Sequence, residues 1–154
     1  MLKIETWTDN KILRTISKKI KDSEIKNYVK LGKDMLKYIK NPENSWVGLA
    51  AHQVWYNVRL IVVWLPENRD DENYKFIIMI NPNILDFSWE KEGDEEWCLS
   101  VPGEKWIVER SKNIKLAYQD LKWNIKTLML EGLRARIVQH EVDHLNWILF
   151  VDKI

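Results

Sequence analysis

An α+β fold with mainly antiparallel β-sheets is predicted by three features of this 154-residue chain. Residues 23–40, SEIKNYVKLGKDMLKYIK, carry an amphipathic helical pattern; residues 58 to about 130 break into short β-branched runs; helical spacing returns from Gly132. Helix, then many strands, then helix is the order of a segregated α+β domain rather than a doubly wound parallel one. No repeat, low-complexity tract or Pro/Gly/Ser linker interrupts residues 1–154, so one domain is expected.

In the N-terminal helix Ile25, Val29, Met35, Leu36 and Ile39 recur at near-helical steps with lysines between them. Ser23 is the expected N-cap, and Asn41 followed by Pro42 the stop. VRLIVVWL (58–65) and KFIIMI (75–80) read as strands, and the polar PENRDDENY between them as a turn or loop. NILDFSWE, NIKLAYQD and NIKTLML follow as shorter strands, with a turn near 120–124. In the last segment Leu133, Ile137, Glu141, His144 and Leu145 fall at three- and four-residue steps, so the sheets are expected to pack around a C-terminal helix.

Apolar residues make up 45% of the chain and charged residues 31%, with a formal net charge of +1. That balance excludes a strongly basic nucleic-acid binder, and no sequence-specific nucleic-acid contact is expected. No apolar run approaches a membrane span, and MLKIETWTDNK lacks the apolar core of a secretory signal. A cytoplasmic location is the expectation. The single cysteine, Cys98, rules out an intrachain disulfide and leaves a thiol to explain.

The strongest chemical signal is Gln139-His140-Glu141-Val142-Asp143-His144. On a helix, His140 and His144 are four residues apart and point from one face toward one metal ion. Glu141 can then reach a water on that ion as general base. A catalytic site of this kind needs a third protein ligand and one open position. Only ten residues follow His144, and none fits that role well, so the third ligand must come from upstream. Cys98, in Glu96-Trp97-Cys98-Leu99-Ser100, is the candidate, as a metal-bound thiolate.

Three segments together resemble the peptide deformylase family: Trp46-Val47-Gly48-Leu49-Ala50-Ala51-His52-Gln53, then EWCLS at 96–100, then HEVDH at 140–144. They stand in the family's order, and VPGEKWIVER, YQDLKWN and HLNWILF extend the likeness over nearly the whole chain. The resemblance implies removal of the formyl group from the N-terminal formylmethionine of nascent polypeptides, with release of formate. It implies Cys98, His140 and His144 as metal ligands and Glu141 as general acid and base. Gln53 and the Leu99 backbone N–H would donate to the oxyanion, and Val47, Gly48, Leu49 and Trp97 would lie along the substrate. The implied cofactor is one divalent metal ion. Iron(II) is the family's usual metal; Zn(II), Ni(II) or Co(II) suit the same ligands. The implied partners are N-formylmethionyl peptides and the ribosome near its exit tunnel. Asp143 is expected to hold a partner such as Arg110 rather than the ion. His52, where Pro is commoner in the family, is read as a tolerated variant rather than a fourth ligand. The sequence stops ten residues after His144, sooner than in many members of the family, so the expectation is that a C-terminal helix is missing and that ribosome docking is weakened with it.

Two other readings make different demands. An HExxH metalloprotease would need a ligand other than Cys98, and Cys98→Ser would then leave metal binding intact. A non-catalytic homologue would keep peptide affinity and release no formate.

One departure from the family has a single form. The chain has 9 Trp and only 5 Gly, and glycine at about 3% is under half its usual share of about 7%. Trp7, Trp46, Trp55, Trp97, Trp106, Trp123 and Trp147 fall where the family carries Gly; Trp64 and Trp89 are less clear. Independent drift does not substitute one bulky residue for glycine repeatedly. A cell that reads UGA as glycine, with its gene translated as though UGA meant tryptophan, would yield this pattern. Otherwise the tryptophans are real, and Trp46 and Trp97 crowd the groove beside Cys98.

Overall fold

The computed structural model describes residues 2–66 and 75–154. The polar stretch expected as a loop, PENRDDENY, lies almost entirely outside the described residues. The elements run α1 (Ile25–Lys40), β1 (Gly48–Ala50), β2 (Leu60–Trp64), β3 (Phe76–Phe87), β4 (Lys91–Cys98), β5 (Val101–Ser111), β6 (Asn113–Gln119), β7 (Ile125–Glu131) and α2 (Gly132–Leu145). Five strands form one antiparallel sheet in the order β1-β2-β3-β6-β7, and β4 and β5 pair as a separate antiparallel hairpin. The α+β architecture expected from the sequence, with sheets around a C-terminal helix and a second helix near the N-terminus, is the one observed.

Both faces of the large sheet are covered, which explains its most apolar strand. Ile61 and Val63 face the cluster that holds Ala135, Val138, Val142 and Leu145 of α2. Leu60 and Val62 face the cluster that holds Ile25, Met35 and Ile39 of α1. A strand buried on both sides reads as a continuous apolar run instead of an alternating one. β1 is an edge strand whose three residues are all buried.

Several boundaries differ from expectation. α1 is preceded by a 3-10 turn, Asp22–Glu24, so Ser23 lies inside that turn and the N-cap is Glu24, with no side-chain capping bond. KFIIMI and NILDF are one strand, β3; a register shift between Ile80 and Asn83, at Asn81-Pro82, bends it without ending it. β4 and β5 were not foreseen as strands. Their residues KEGDEEWC and VPGEKWIVERS are too charged to show an apolar period.

Positive backbone φ marks an unusual set of positions. Among the described residues, Gly103 and Gly132 have it, and so do Ser45, Asn81, Trp7 (φ 80°), Trp55 (75°), Trp123 (71°) and Trp147 (64°). The left-handed region costs a residue with a Cβ about 1–2 kcal/mol. Four tryptophans there cost roughly 4–8 kcal/mol, comparable with the whole stability of a domain, about 5–15 kcal/mol.

Candidate metal centre and groove

α2 supplies the first part of the site. His140 and His144 lie one turn apart on it, with ring centroids 5.0 Å apart. Cys98, the last residue of β4, is brought against them, and its Sγ lies 3.2 Å from His144 Nε2. The donor atoms of Cys98, His140 and His144 all lie within 4.8 Å of one another. This donor set fits a single divalent ion. One thiolate and two imidazoles are first-row metal ligands, and each is oriented by neighbours. His140 Nδ1 is bonded to Glu96 Oε2 at 2.9 Å, which turns its Nε2 toward the shared space. Ser100 N–H and Gln53 Nε2 approach Cys98 Sγ at 3.4 and 3.6 Å, donors suited to a thiolate.

Glu96 was missed as a functional residue, although it stands two positions before Cys98 on the same face of β4. It is buried, and besides His140 it accepts from Arg110 Nε at 2.5 Å and Nη2 at 2.9 Å, and from Arg136 Nη1 at 2.7 Å. Burial alone would raise its pKa, but the Arg110 and His140 bonds outweigh it and hold the carboxyl well below the usual carboxylate range. Arg110 Nη1 also donates to Asp143 Oδ2 at 2.7 Å, so the acid inside HEVDH bonds the arginine expected of it.

Glu141 lies beside the triad, 4% exposed, and burial pushes its carboxyl up to about 7. Gly48 on β1 is pressed against it: a Cβ at position 48 would collide with the Glu141 carboxyl. This is the close approach that only glycine allows. A Gly48→Ala chain is expected to lose about 1–3 kcal/mol in urea unfolding. An unchanged midpoint would mean that Glu141 moves aside freely.

A groove of about 380 Å³ opens over these residues. Val47, Gly48, Trp97 and Leu99 line it together with Gln53, Cys98, His140 and Glu141, and Leu133 and Ile137 give it apolar surface. Leu49, expected along the substrate backbone, does not itself line the groove with its side chain. Its side chain is fully buried in the α1-side cluster, because alternation along β1 turns it away, so only its peptide edge is left for a substrate. Gln53 is buried and fully engaged: Oε1 accepts from Ala50 N–H at 2.8 Å, and Nε2 donates to Ser100 Oγ at 2.9 Å besides its longer contact with Cys98.

His52 does not join the ligand set. It is fully buried, its Nδ1 is 3.1 Å from Ser17 Oγ, and its ring packs edge-on to His144 at 5.7 Å. Burial pushes its pKa down to about 4. The unfolded imidazole titrates near 6.5, so between about pH 6.5 and 4 the unfolded chain takes up a proton that the folded chain refuses. Stability is therefore expected to fall as the pH drops through that window, by about 3 kcal/mol from this residue. Chemical unfolding across the window, compared with a His52→Gln chain, checks this; equal acid slopes in the two chains would contradict it.

A cysteine and two histidines of an HExxH helix that could hold one divalent ion, with a buried carboxyl beside them, lie at a groove lined in part by the edge strand β1. The chain belongs to the polypeptide deformylase family, whose sequence model matches residues 1–154. A peptide deformylase of Prochlorococcus marinus (strain NATL1A) is 44% identical over 125 residues, 81% of this chain but 60% of that relative's length. One from Dictyoglomus thermophilum is 42% identical over 144 residues, covering 92% of this chain and 86% of the relative. Among solved structures, the Met-Ala-Ser-bound class I type b peptide deformylase of Acinetobacter baumannii superposes with a TM-score of 0.88 at 38% identity, over 100% of this chain and 98% of that one. The Thermotoga maritima peptide deformylase gives 0.87 at 36% identity, over 100% and 97%. No helix among the described residues is long and apolar enough to cross a membrane.

Proposed function

We propose that the protein removes the formyl group from the N-terminal formylmethionine of nascent polypeptides and releases formate. The observation that carries this reading is the convergence of Cys98, His140 and His144 within 4.8 Å, at a groove that also holds Glu141. A divalent ion on those three residues, Fe(II) on this reading, would supply Lewis-acid activation of water and of the formyl carbonyl.

The chain's own groups do the rest. β1 stands at the end of the strand order among the described residues, and at Gly48 and Leu49 an extended peptide would add to the sheet as a further strand. Leu133 and Ile137 offer apolar surface to the methionine side chain. Glu141 takes the proton from the attacking water and returns it to the departing amine. Gln53 Nε2 gives up its long contact with Cys98 and donates, with the Leu99 N–H, to the oxygen on which negative charge builds. A Met-Ala-Ser peptide is bound by the Acinetobacter protein, and the same sequence with a formyl cap is the substrate to try here. Nascent chains leaving the ribosome in the cytoplasm are the natural source of such ends.

The test is formate release from formyl-Met-Ala-Ser by the Fe(II)-loaded protein. Turnover that a chelator abolishes and Fe(II) restores is the expected result. Tight binding of the peptide with no formate would favour the non-catalytic reading. A metal content unaffected by Cys98→Ser would remove the basis for the thiolate ligand.

A further inference from the structure

We infer that positions 7, 55, 123 and 147 are glycine in the protein as its own cell makes it, through UGA codons read there as glycine, and that Trp46 and Trp97 at the groove share that origin. The backbone carries the argument independently of the family pattern.

Trp147 sits one residue past the C-cap of α2. Its N–H bonds His144 O at 3.2 Å, and the Ile148 N–H bonds Asp143 O at 3.0 Å. That pair of bonds ends a helix around a left-handed residue, which is usually glycine. Trp55 ends the 3-10 turn Ala51–Val54 in the same way, with Trp55 N–H to His52 O at 3.3 Å and Tyr56 N–H to Ala51 O at 3.1 Å. Trp123 closes the β6–β7 hairpin. Its N–H bonds Asp120 O at 3.1 Å, and the Asp120 N–H bonds Asn124 O at 3.0 Å across the loop. A three-residue hairpin loop of this kind takes glycine at its left-handed position. Trp7 makes the fourth, at φ 80°. These sites share no element and no function, and they have in common only a backbone that suits glycine.

Burial gives a second, separate reason. Tryptophan is highly buried on average. Here Trp7, Trp55, Trp89, Trp97, Trp106, Trp123 and Trp147, seven of the nine, are 47–100% exposed. They belong to several different segments of the chain. If all nine are glycine, they and the five glycines already present make about 9% of the 154 residues, near the usual share of about 7%.

The inference bears on the groove proposed above as the substrate site, because Trp46 and Trp97 both line it and the Trp97 ring carries Lys105 Nζ 5.3 Å from its centroid. With glycine at both positions the mouth beside Cys98 is open to an extended peptide.

The test is peptide mass mapping of the protein purified from its own source, across positions 7, 46, 55, 97, 123 and 147. Glycine masses at 7, 55, 123 and 147 are expected; tryptophan masses there, or UGG at those four codons, would overturn the inference. Masses are read whether or not formate is released, so this result stands apart from that of the activity assay. A recombinant comparison tests the strain directly. The chain carrying Trp7→Gly, Trp55→Gly, Trp123→Gly and Trp147→Gly should melt at least about 10 °C above the chain as written. If the all-tryptophan chain does not fold while the glycine chain does, the support is stronger; equal melting points would count against it.

Discussion

Replacing Glu141 with Gln is expected to lower formate release from formyl-Met-Ala-Ser by about 10²–10⁴-fold while the bound ion stays in place. The side chain is 4% exposed, and its Oε2 has no hydrogen-bond partner among the described residues, so its carboxyl carries no visible structural bond. Gln keeps the shape that fits against Gly48 and removes only the capacity to take and return a proton. Unfolding midpoint and metal content should therefore match the parent, and kcat alone should fall. A Glu141→Gln chain with full turnover would remove Glu141 from the chemistry. A chain that also lost its metal would show the residue to be structural.

Replacing Glu96 with Gln should act through two routes at once. The carboxylate neutralises Arg110 and Arg136 in a buried cluster, and removing one partner of a buried ion pair typically costs about 3–5 kcal/mol. It also orients His140 through Nδ1, and losing such a contact typically weakens metal affinity about 10–100-fold. Urea unfolding of the metal-free chain reads the first effect, and competition with a coloured chelator reads the second. A loss below about 1 kcal/mol with unchanged affinity would mean that water replaces the carboxylate at little cost.

Much of this architecture is visible in the residues themselves, and the misses have physical reasons. The two helices and the strands around 58–64 and 113–131 show because burial imposes a period on them. The β4–β5 hairpin does not show, because most of its side chains face solvent or one another as ions, and charge conceals strand periodicity. HEVDH fixes its own geometry locally, since a helix places i and i+4 together. Cys98 could be reached only by asking what else would complete a ligand set. Glu96 was passed over because a carboxylate in a run of acids, DEEWC, looks solvated; its burial depends on Arg110 and Arg136, which lie 14 and 40 residues away. The inward turn of the Leu49 side chain was not legible, because membership in a motif says nothing about which way a strand turns a side chain; its place along a substrate backbone needs only its peptide edge.

The β4–β5 hairpin shares a small apolar cluster with the segment after α2, Cys98, Val101 and Val108 with Leu149 and Phe150, apart from the two clusters that flank the large sheet. Its hydrogen-bonded ties to α2 are Arg136 to Glu96, to Val108 O at 2.8 Å and to Glu92 O at 2.5 Å, His140 to Glu96, Gln139 to Ser111 O, and Arg110 to Asp143. A unit joined to its neighbour by polar links and little shared apolar area can open without unfolding the rest. In hydrogen exchange the amides of β4 and β5 should thus lose protection before those of β2 and β3. Because Cys98 belongs to the hairpin and both histidines to the helix, an ion between them would act as the clasp, and chelation should speed exchange in the hairpin far more than in the sheet.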